Sequence, residues 1–363
     1  MSNNFIFHWP LVGNQRVIDF LARSLINRRL ANAYLFVGPD NLGKTTIAAR
    51  FVQIILCNQY TANRGGDVPC GVCPSCQKFQ FLSRKTSASD EQTAEDSAPA
   101  TLHSDYYIIK SPRDKNNISI VQIRELIKNL GMSPFLSSYK VGIIKRAEYL
   151  SESAANTLLK TLEEPPVNSI IILVANQLEF LPPTIRSRCQ IVEFKPVDSE
   201  AIYQYLTQEK GVARAEAKNL AYLSLGRPAL AVKFLENADF AAKYKLWAEI
   251  FLAIIKSDDY NFRLSRLDDL TQREALDNAA LARRRAKRII EVWEGVSRDL
   301  FLTQMGHFPL VQHQFFLPEF KKLKNKFALS KILNVLALLK EGRAYLQANL
   351  SPKLVLENIV ISI

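Results

Sequence analysis

The sequence lacks the features of a membrane or secreted protein. No apolar run reaches the ~18 residues that a membrane helix needs, and residues 1–10 do not join a basic stretch to an apolar one, as a secretory signal would. We therefore expect a cytoplasmic protein with no membrane partner. Histidine is scarce too: the four histidines show no ligand spacing, and no Ser-His-Asp or Cys-His arrangement can be argued.

Cysteine is almost confined to one segment. Apart from Cys189, the cysteines of the chain are Cys57, Cys70, Cys73 and Cys76. C-x-x-C spacing brings two thiolates within the ~4 Å that a tetrahedral Zn²⁺ with ~2.3 Å Zn–S bonds requires. Four sulfurs with no open position predict a structural zinc site in a reducing compartment. Buried free thiols or a redox pair are the alternatives, and Cys57, at the end of a predicted helix, is the weakest ligand.

Acidic residues are outnumbered by basic ones, so the net charge of the chain is +12. Such a surplus favours contact with phosphate polymers such as DNA. A solvated basic surface without a partner is the alternative explanation.

At 363 residues the chain is long for one compact core, so we expect several domains. Short apolar runs alternate with helical patterns over residues 1–196, which predicts a parallel α/β sheet. The predicted strands are Tyr34–Val37, Tyr106–Ile109, Val141–Ile144, Ile170–Ala175 and Gln190–Phe194. Residues 84–104, poor in large apolar groups, predict a flexible insertion. Residues 197–237 predict a small helical domain and residues 238–363 a larger one.

A phosphate-binding loop follows the first of these predicted strands. Residues 38–45, GPDNLGKT, match G-x-x-x-x-G-K-[ST] at every fixed position, and a helix is predicted directly after them. Backbone N–H groups and the helix N-terminus would surround phosphate oxygens, Lys44 would reach the β- and γ-phosphates, and Thr45 would bind Mg²⁺. The predicted nucleotide contacts are Gly38, Pro39, Asn41, Gly43, Lys44, Thr45 and Thr46. A glycine-rich turn with a chance lysine is the alternative.

The acidic pair that a hydrolysing P-loop protein carries at the end of a later strand is missing. Lys145 and Arg146 follow the predicted strand at 141–144, and two cations can neither hold a metal ion nor accept a proton from water. Glu148 comes three residues late for this role. We therefore expect binding of ATP or ADP without efficient hydrolysis.

Several motifs resemble those of the clamp-loader subunits of bacterial DNA polymerase III. The string SAANTLLKTLEEPP at 153–166 is similar to a helix of that family, TIRSRC at 184–189 resembles its S-R-C motif, and ANLSPKLVLEN at 348–358 resembles its C-terminal end. The phosphate loop and the four-cysteine module fit the same family, so the resemblance covers nearly the whole chain.

The resemblance implies an AAA+ P-loop domain at residues 1–196 with an inserted zinc module at about 57–80. It also implies a helical lid at 197–237 and an all-α collar at 238–363. The collar would join gamma/tau and delta subunits in a hetero-pentameric ring that loads the sliding clamp on primed DNA. By the same resemblance Arg188 would be an arginine finger in trans, Asn176 a sensor near the γ-phosphate and Arg227 a lid sensor. A surface arginine is the alternative for Arg188.

Two types of subunit share these motifs. The gamma/tau motor carries the acidic pair, whereas the delta-prime type often has a degenerate site and keeps the finger. Lys145 and Arg146 therefore favour the delta-prime type, and a motor using an unrecognised acid or an unrelated P-loop DNA-repair ATPase are the alternatives. The adjacent Glu163 and Glu164 do not face each other on a helix, which favours a polar helix end or a subunit contact.

Overall fold

The computed structural model describes residues 5–79, 103–110, 117–271, 279–324 and 326–363. The chain divides into two compact units, Met1–Val197 and Asp198–Ile363, one residue beyond the predicted domain end at residue 196. The predicted insertion at 84–104 lies outside the described residues except for His103 and Ser104, and His103 is buried.

Seven strands lie in the described part of the first unit. They are β1 Phe5–Phe7, β2 Ala33–Val37, β3 Gly66–Val68, β4 Tyr106–Ile109, β5 Lys140–Lys145, β6 Ser169–Ala175 and β7 Gln190–Glu193. Five of them form a parallel sheet in the order β4-β5-β6-β2-β7, and β1 pairs with β3 in a second, two-stranded sheet. The parallel α/β sheet predicted from the apolar runs is confirmed, strand by strand.

The main sheet is covered on both faces. Because side chains alternate along a strand, Tyr34 and Phe36 of β2 enter one apolar core, whereas Leu35 and Val37 enter the other. The labelled helices of this unit are α1 Gln15–Ile26, α2 Lys44–Ile55, α3 Asn58–Thr61, α4 Ile120–Leu130, α5 Glu152–Glu163 and α6 Pro183–Arg186. Residues 74–79, which include Cys76, are helical as well. Helix α5 ends at Glu163, just before Pro165, which cannot extend it.

The second unit is helical throughout its described residues. Its helices are α7 Ser199–Gln208, α8 Arg214–Leu223, α9 Pro228–Glu236, α10 Ala238–Lys256, α11 Tyr260–Thr271, α12 Ala279–Gln304, α13 Leu317–Leu323, α14 Leu329–Gln347 and α15 Pro352–Ser362. Its largest core stacks Trp293 on Phe251, with ring centroids 4.9 Å apart. A search of the described helices finds none with the length and apolar character needed to cross a membrane.

A buried polar cluster accompanies this core. Both carboxylate oxygens of Asp299 accept hydrogen bonds, from the backbone N–H groups of Gln312 and His313 at 2.9 and 2.7 Å. The His313 ring contacts Asp299 through Nδ1 at 2.7 Å and the Tyr244 hydroxyl through Nε2 at 3.0 Å. Gln312 donates to the Leu223 carbonyl at 2.9 Å. These contacts join α8, α10 and α12 to the segment after α12.

Candidate functional site

The phosphate loop connects β2 to α2, and its lysine is buried. Lys44 is 5% exposed, and its Nζ donates to the Gly38 carbonyl, to the Pro39 carbonyl at 2.6 Å and to Asn176 Oδ1 at 3.3 Å. Burial lowers the pKa of the Lys44 ammonium, and the carboxylates of Asp40 and Glu148 oppose that effect. The lysine predicted to meet the β- and γ-phosphates is therefore fixed at the loop by three acceptors.

Two glycines of this loop cannot be replaced without strain. Gly38 has φ +146°, and a Cβ there would lie 2.3 Å from the carbonyl oxygen of Phe194. Gly43, the residue before α2, has φ +89°, a backbone conformation that side chains rarely adopt. The loop can therefore turn tightly into the helix, so that N–H groups of the first turn point at a common ligand position.

Asn176 follows β6, the strand that lies next to β2 in the sheet. Its Nδ2 donates to Asp40 Oδ2 at 3.0 Å, while its Oδ1 accepts from Lys44. The structure thus brings this predicted site residue to the loop. Asp40 occupies a variable position of the G-x-x-x-x-G-K-T pattern, so spacing alone gave no signal for it.

The end of β5 carries cations, as the sequence indicates. Lys145 is the last residue of the strand, and Arg146, with φ +56°, follows it and is exposed. Since the carboxyl ends of parallel strands meet at one edge of a sheet, both residues lie on the same edge as Asn176 and the phosphate loop. No carboxylate stands at the two positions where a hydrolysing P-loop protein places its acidic pair.

Glu148 is closer to the site than its spacing suggested. It lies on a short 3₁₀ turn, Ala147–Tyr149, rather than on a long helix. Burial, followed by the charge of Asp40, raises the pKa of its carboxyl, and the Asn176 backbone opposes that effect. Its Oε2 is buried and has no hydrogen-bond partner among the described residues.

Arg188 lies two residues after α6 and is held by its own chain. Its Nη2 is 2.5 Å from Glu163 Oε1, and its Nη1 donates to the Thr184 carbonyl at 3.0 Å and to Ser187 Oγ at 3.4 Å. The side chain keeps 35% of its surface exposed. Glu163 is the end of α5, as expected of a polar helix end, but its ion pair with a residue 25 positions later was not predicted.

The remaining predicted nucleotide contacts lie in two places, the phosphate loop with the start of α2 and the second unit. Asn41 and Thr46 are exposed and Thr45 is half-buried in the first turn of α2. Arg227 belongs to the second unit, where its Nε donates to the Ser224 carbonyl at 3.1 Å just before α9. Its role as a lid sensor stays a prediction.

The four clustered cysteines converge. The Sγ atoms of Cys57, Cys70, Cys73 and Cys76 all lie within 4.8 Å of one another. The Cys70 N–H points at Cys57 Sγ at 3.5 Å, and the Cys76 N–H points at Cys73 Sγ at 3.4 Å. A hydrogen bond from Cys76 lowers the pKa of the Cys57 thiol. Cys57 therefore joins the group despite its place after α2, and the four sulfurs can bind a metal ion.

Comparison with solved structures gives neighbours over almost the full length. A crystal structure of a DNA polymerase III gamma subunit-related protein from Thermotoga maritima covers 94% of this chain and 97% of its own, at 18% identity and a TM-score of 0.49.

Curated relatives match just over half of the chain. DNA polymerase III subunit tau of Bacillus subtilis is 33% identical over 192 residues, which is 53% of this chain and 30% of that protein. DNA polymerase III subunit delta' of Haemophilus influenzae is 31% identical over 206 residues, 57% of this chain and 55% of that protein. The chain thus spans about a third to a half of the length of these relatives.

A family model gives the assignment. The model described as DNA polymerase III, delta subunit, matches residues 13–198, just over half of the chain. Several relatives at about 30% identity are delta' subunits, and tau/gamma subunits are related as well. The chain therefore belongs to the DNA polymerase III delta subunit family.

Proposed function

We propose that this chain is a delta-prime-type subunit of a bacterial DNA polymerase III clamp loader. In this role it is a stator: it binds ATP or ADP without efficient turnover and donates Arg188 to the nucleotide site of a neighbouring subunit. One observation carries the proposal. The edge of the sheet that holds an intact phosphate loop has Lys145 and Arg146 where metal binding and water activation need carboxylates.

The residues of the loop fit a nucleotide with Mg²⁺. Backbone N–H groups of residues 40–46 and the N-terminus of α2 would bind phosphate oxygens, Lys44 would neutralise the β- and γ-phosphates, and Thr45 would hold Mg²⁺. Asn176 would contact the γ-phosphate from the end of β6, and Arg227 would act as the lid sensor. The bound nucleotide would then be a stable ligand of the stator rather than its substrate.

The partners follow from the same proposal. Gamma/tau and delta subunits would form the hetero-pentameric ring with this chain, through the helices of residues 238–363 acting as a collar. The ring would place the sliding clamp on primed DNA in the cytoplasm. Arg188 would supply positive charge where transition-state charge develops in the adjacent motor subunit.

The cysteine group is proposed as a structural Zn²⁺ site. Four thiolates carry an excess of negative charge over Zn²⁺, and Arg50 is close enough to Cys76 for their charges to interact. Metal analysis of the purified chain should give about one zinc per molecule. Cys73→Ser should lower the zinc content, with Cys189→Ser as the matched control outside the group. A chain purified without zinc and unaffected by chelator would end this assignment.

The main test is the ATPase activity of the chain and its partner subunits, each alone and together. We expect no hydrolysis by the isolated chain. Arg188→Ala should leave assembly intact and lower the DNA- and clamp-stimulated ATPase by up to the ~10³–10⁵ known for arginine fingers, or less where several sites contribute. Arg186→Ala, the arginine two positions earlier at the end of α6, is the matched control. An unchanged rate with Arg188→Ala would overturn catalysis in trans.

A motor subunit of the gamma/tau type is the second candidate, and Glu148 is the observation that favours it. Its buried Oε2 has no hydrogen-bond partner in the part of the chain that the structure describes, and its carboxyl lies close enough to Asp40 for their charges to interact, where an acid could serve a bound nucleotide. ATP hydrolysis by the isolated chain that both Lys44→Ala and Glu148→Gln abolish would establish this candidate in place of the stator.

A further inference from the structure

The Arg188 guanidinium is oriented before any partner subunit is present. Its Nη2 pairs with Glu163, and its Nη1 donates hydrogen bonds to Thr184 and Ser187. Its Nε makes no hydrogen bond to a described residue. The contacts to Thr184 and Ser187 are local, at four residues and one residue before Arg188. Among the polar contacts of Arg188 with described residues, the one to Glu163 ties the side chain to a distant part of the sequence.

We propose that Glu163 is a positioning residue that holds Arg188 in the orientation in which the chain presents it to a nucleotide bound by the neighbouring subunit. The proposal rests on the finger role of Arg188 given above. Its partner is a phosphate-bearing nucleotide in a second subunit, and Glu163 itself does not touch that nucleotide.

The first step is the anchoring of Glu163. Its helix α5 buries Ala154, Leu158 and Leu162 against the sheet, and it ends at Glu163 because prolines follow at 165 and 166. The carboxylate is therefore carried by the last residue of a packed helix. Glu163 thus ties Arg188 to a helix 25 positions away in the chain, whereas Ser187 is the residue directly before Arg188.

The ion pair with Glu163 also reduces the conformational entropy that the Arg188 side chain would lose at a subunit boundary. A free arginine side chain populates many rotamers, and their loss would oppose its ordering at a subunit boundary. The planar guanidinium can contact a carboxylate with one nitrogen and keep other N–H groups for phosphate oxygens. Glu163 thus fixes the side chain in advance while Nε stays available.

The ion pair between Glu163 and Arg188 is partly exposed, which limits the size of its effect. The two side chains keep 35% and 49% of their surface exposed, so water and salt screen the pair. An ion pair of this kind changes an equilibrium by about two- to five-fold. Glu163 is therefore expected to adjust the finger, and the loss of Arg188 itself should have a far larger effect.

The test is a double-mutant cycle in the reconstituted complex, with ATP, primed DNA and clamp. The variants are Glu163→Gln, Arg188→Ala and the double variant, with Glu164→Gln as the matched control. Glu164 is the adjacent exposed glutamate and forms no ion pair with a described residue. We expect Glu163→Gln to lower kcat about two- to five-fold without changing KM or subunit affinity, and Glu164→Gln to change none of them.

In the Arg188→Ala background, Glu163→Gln should have no further effect, because the group that it positions is gone. An equal loss in both backgrounds would mean that Glu163 supports the fold or the interface, and would overturn the proposal. So would an unchanged kcat for Glu163→Gln while Arg188→Ala is strongly impaired. If Arg188→Ala itself leaves the rate unchanged, the finger role of Arg188 is wrong. This outcome is distinct from a result that contradicts only the positioning role of Glu163. Thermal melting of each isolated variant controls for folding.

Discussion

Each unit of this chain contains a cluster of charged and polar side chains, and the two clusters differ in how completely their ionisable side chains are paired, although Gln312 Oε1 beside the second cluster is also buried without a partner among the described residues. In the second unit, Asp299 and His313 are fully buried, and each nitrogen and oxygen of their side chains that can form a hydrogen bond has a partner. In the first unit, Lys44 is fixed by its own loop, but Glu148 keeps a buried oxygen without a partner among the described residues.

The comparison shows why chemistry cannot be inferred from residue types alone. Carboxylate, imidazole and hydroxyl follow one another in the Asp299 cluster, as they do in a catalytic relay. Yet that cluster is closed, because its hydrogen bonds end on backbone groups and on the Tyr244 hydroxyl. The Lys44 cluster lies beside exposed Asp40 and Asn41 at the edge of a parallel sheet, where ligands of such folds bind. We therefore interpret the closed cluster as stabilising and the open one as functional.

The largest effect is expected from Asp299→Ala. The change leaves two backbone N–H groups and the His313 ring without their acceptor, which should lower the free energy of unfolding by about 3–5 kcal/mol. Urea denaturation measures it, with Asp258→Ala as control because that side chain is 95% exposed. Nucleotide affinity of the folded variant should stay normal. If Asp299→Ala lowers the free energy of unfolding by less than Asp258→Ala does, the cluster does not stabilise the unit.

The next effect is the pH dependence that His103 gives to the stability of the first unit. His103 accepts a hydrogen bond at Nδ1 from the Asp105 N–H, and burial lowers the pKa of its ring to about 4. The folded-state pKa is thus below the unfolded value of about 6.5. The stabilisation is complete above about pH 6.5 and is lost as the pH falls toward 4, by about 2–3 kcal/mol. Unfolding of the wild type should show this loss and His103→Gln should not, whereas identical pH profiles would contradict the prediction.

Lys44→Ala tests whether the open cluster of the first unit binds nucleotide. Loss of the ammonium removes a charge-assisted contact to the phosphates, so ATP and ADP should bind about 10–100-fold more weakly. Titration calorimetry measures the affinity, and Lys195→Ala, an exposed lysine of the same unit, is the control. Equal affinities for the two variants would mean that the loop does not bind nucleotide through Lys44.

The smallest effect concerns Glu148. In a stator its carboxylate only repels the nucleotide, so Glu148→Gln should tighten ATP binding about two- to five-fold, with or without Mg²⁺. The affinities are measured in both conditions, with Glu152→Gln as an exposed control. Weaker binding that requires Mg²⁺ would mean that Glu148 replaces the missing acid and would favour the motor candidate.

Local signals were enough to predict much of the first unit. The strands of the main sheet are buried apolar runs, and the phosphate loop has a fixed spacing, so both are visible in one stretch of sequence. The short pair β1 and β3 was missed because each strand has three residues and they pair across 61 positions.

Contacts between residues far apart in the sequence account for the other features that the sequence did not predict. Glu163 and Arg188 meet only because α5 and α6 end near each other, and the Asp299 cluster gathers side chains from several helices. Glu148 was judged by its spacing from the strand, whereas Arg146, with its left-handed backbone, leads into the short 3₁₀ turn that carries Glu148. The role of Arg227 stays a prediction, since no contact within its own unit tests it.

The absence of a side chain at Gly38 has a consequence beyond the turn itself. Only a hydrogen atom fits between this Cα and the Phe194 carbonyl, and Asn14 fastens the next residue, Lys195, through two further hydrogen bonds of 2.8 and 2.9 Å. Residues 194 and 195 are the last stretch before the chain leaves its first unit at Val197. A displacement of the loop at Gly38 would therefore act directly on the backbone of residue 194, three residues before the end of the first unit.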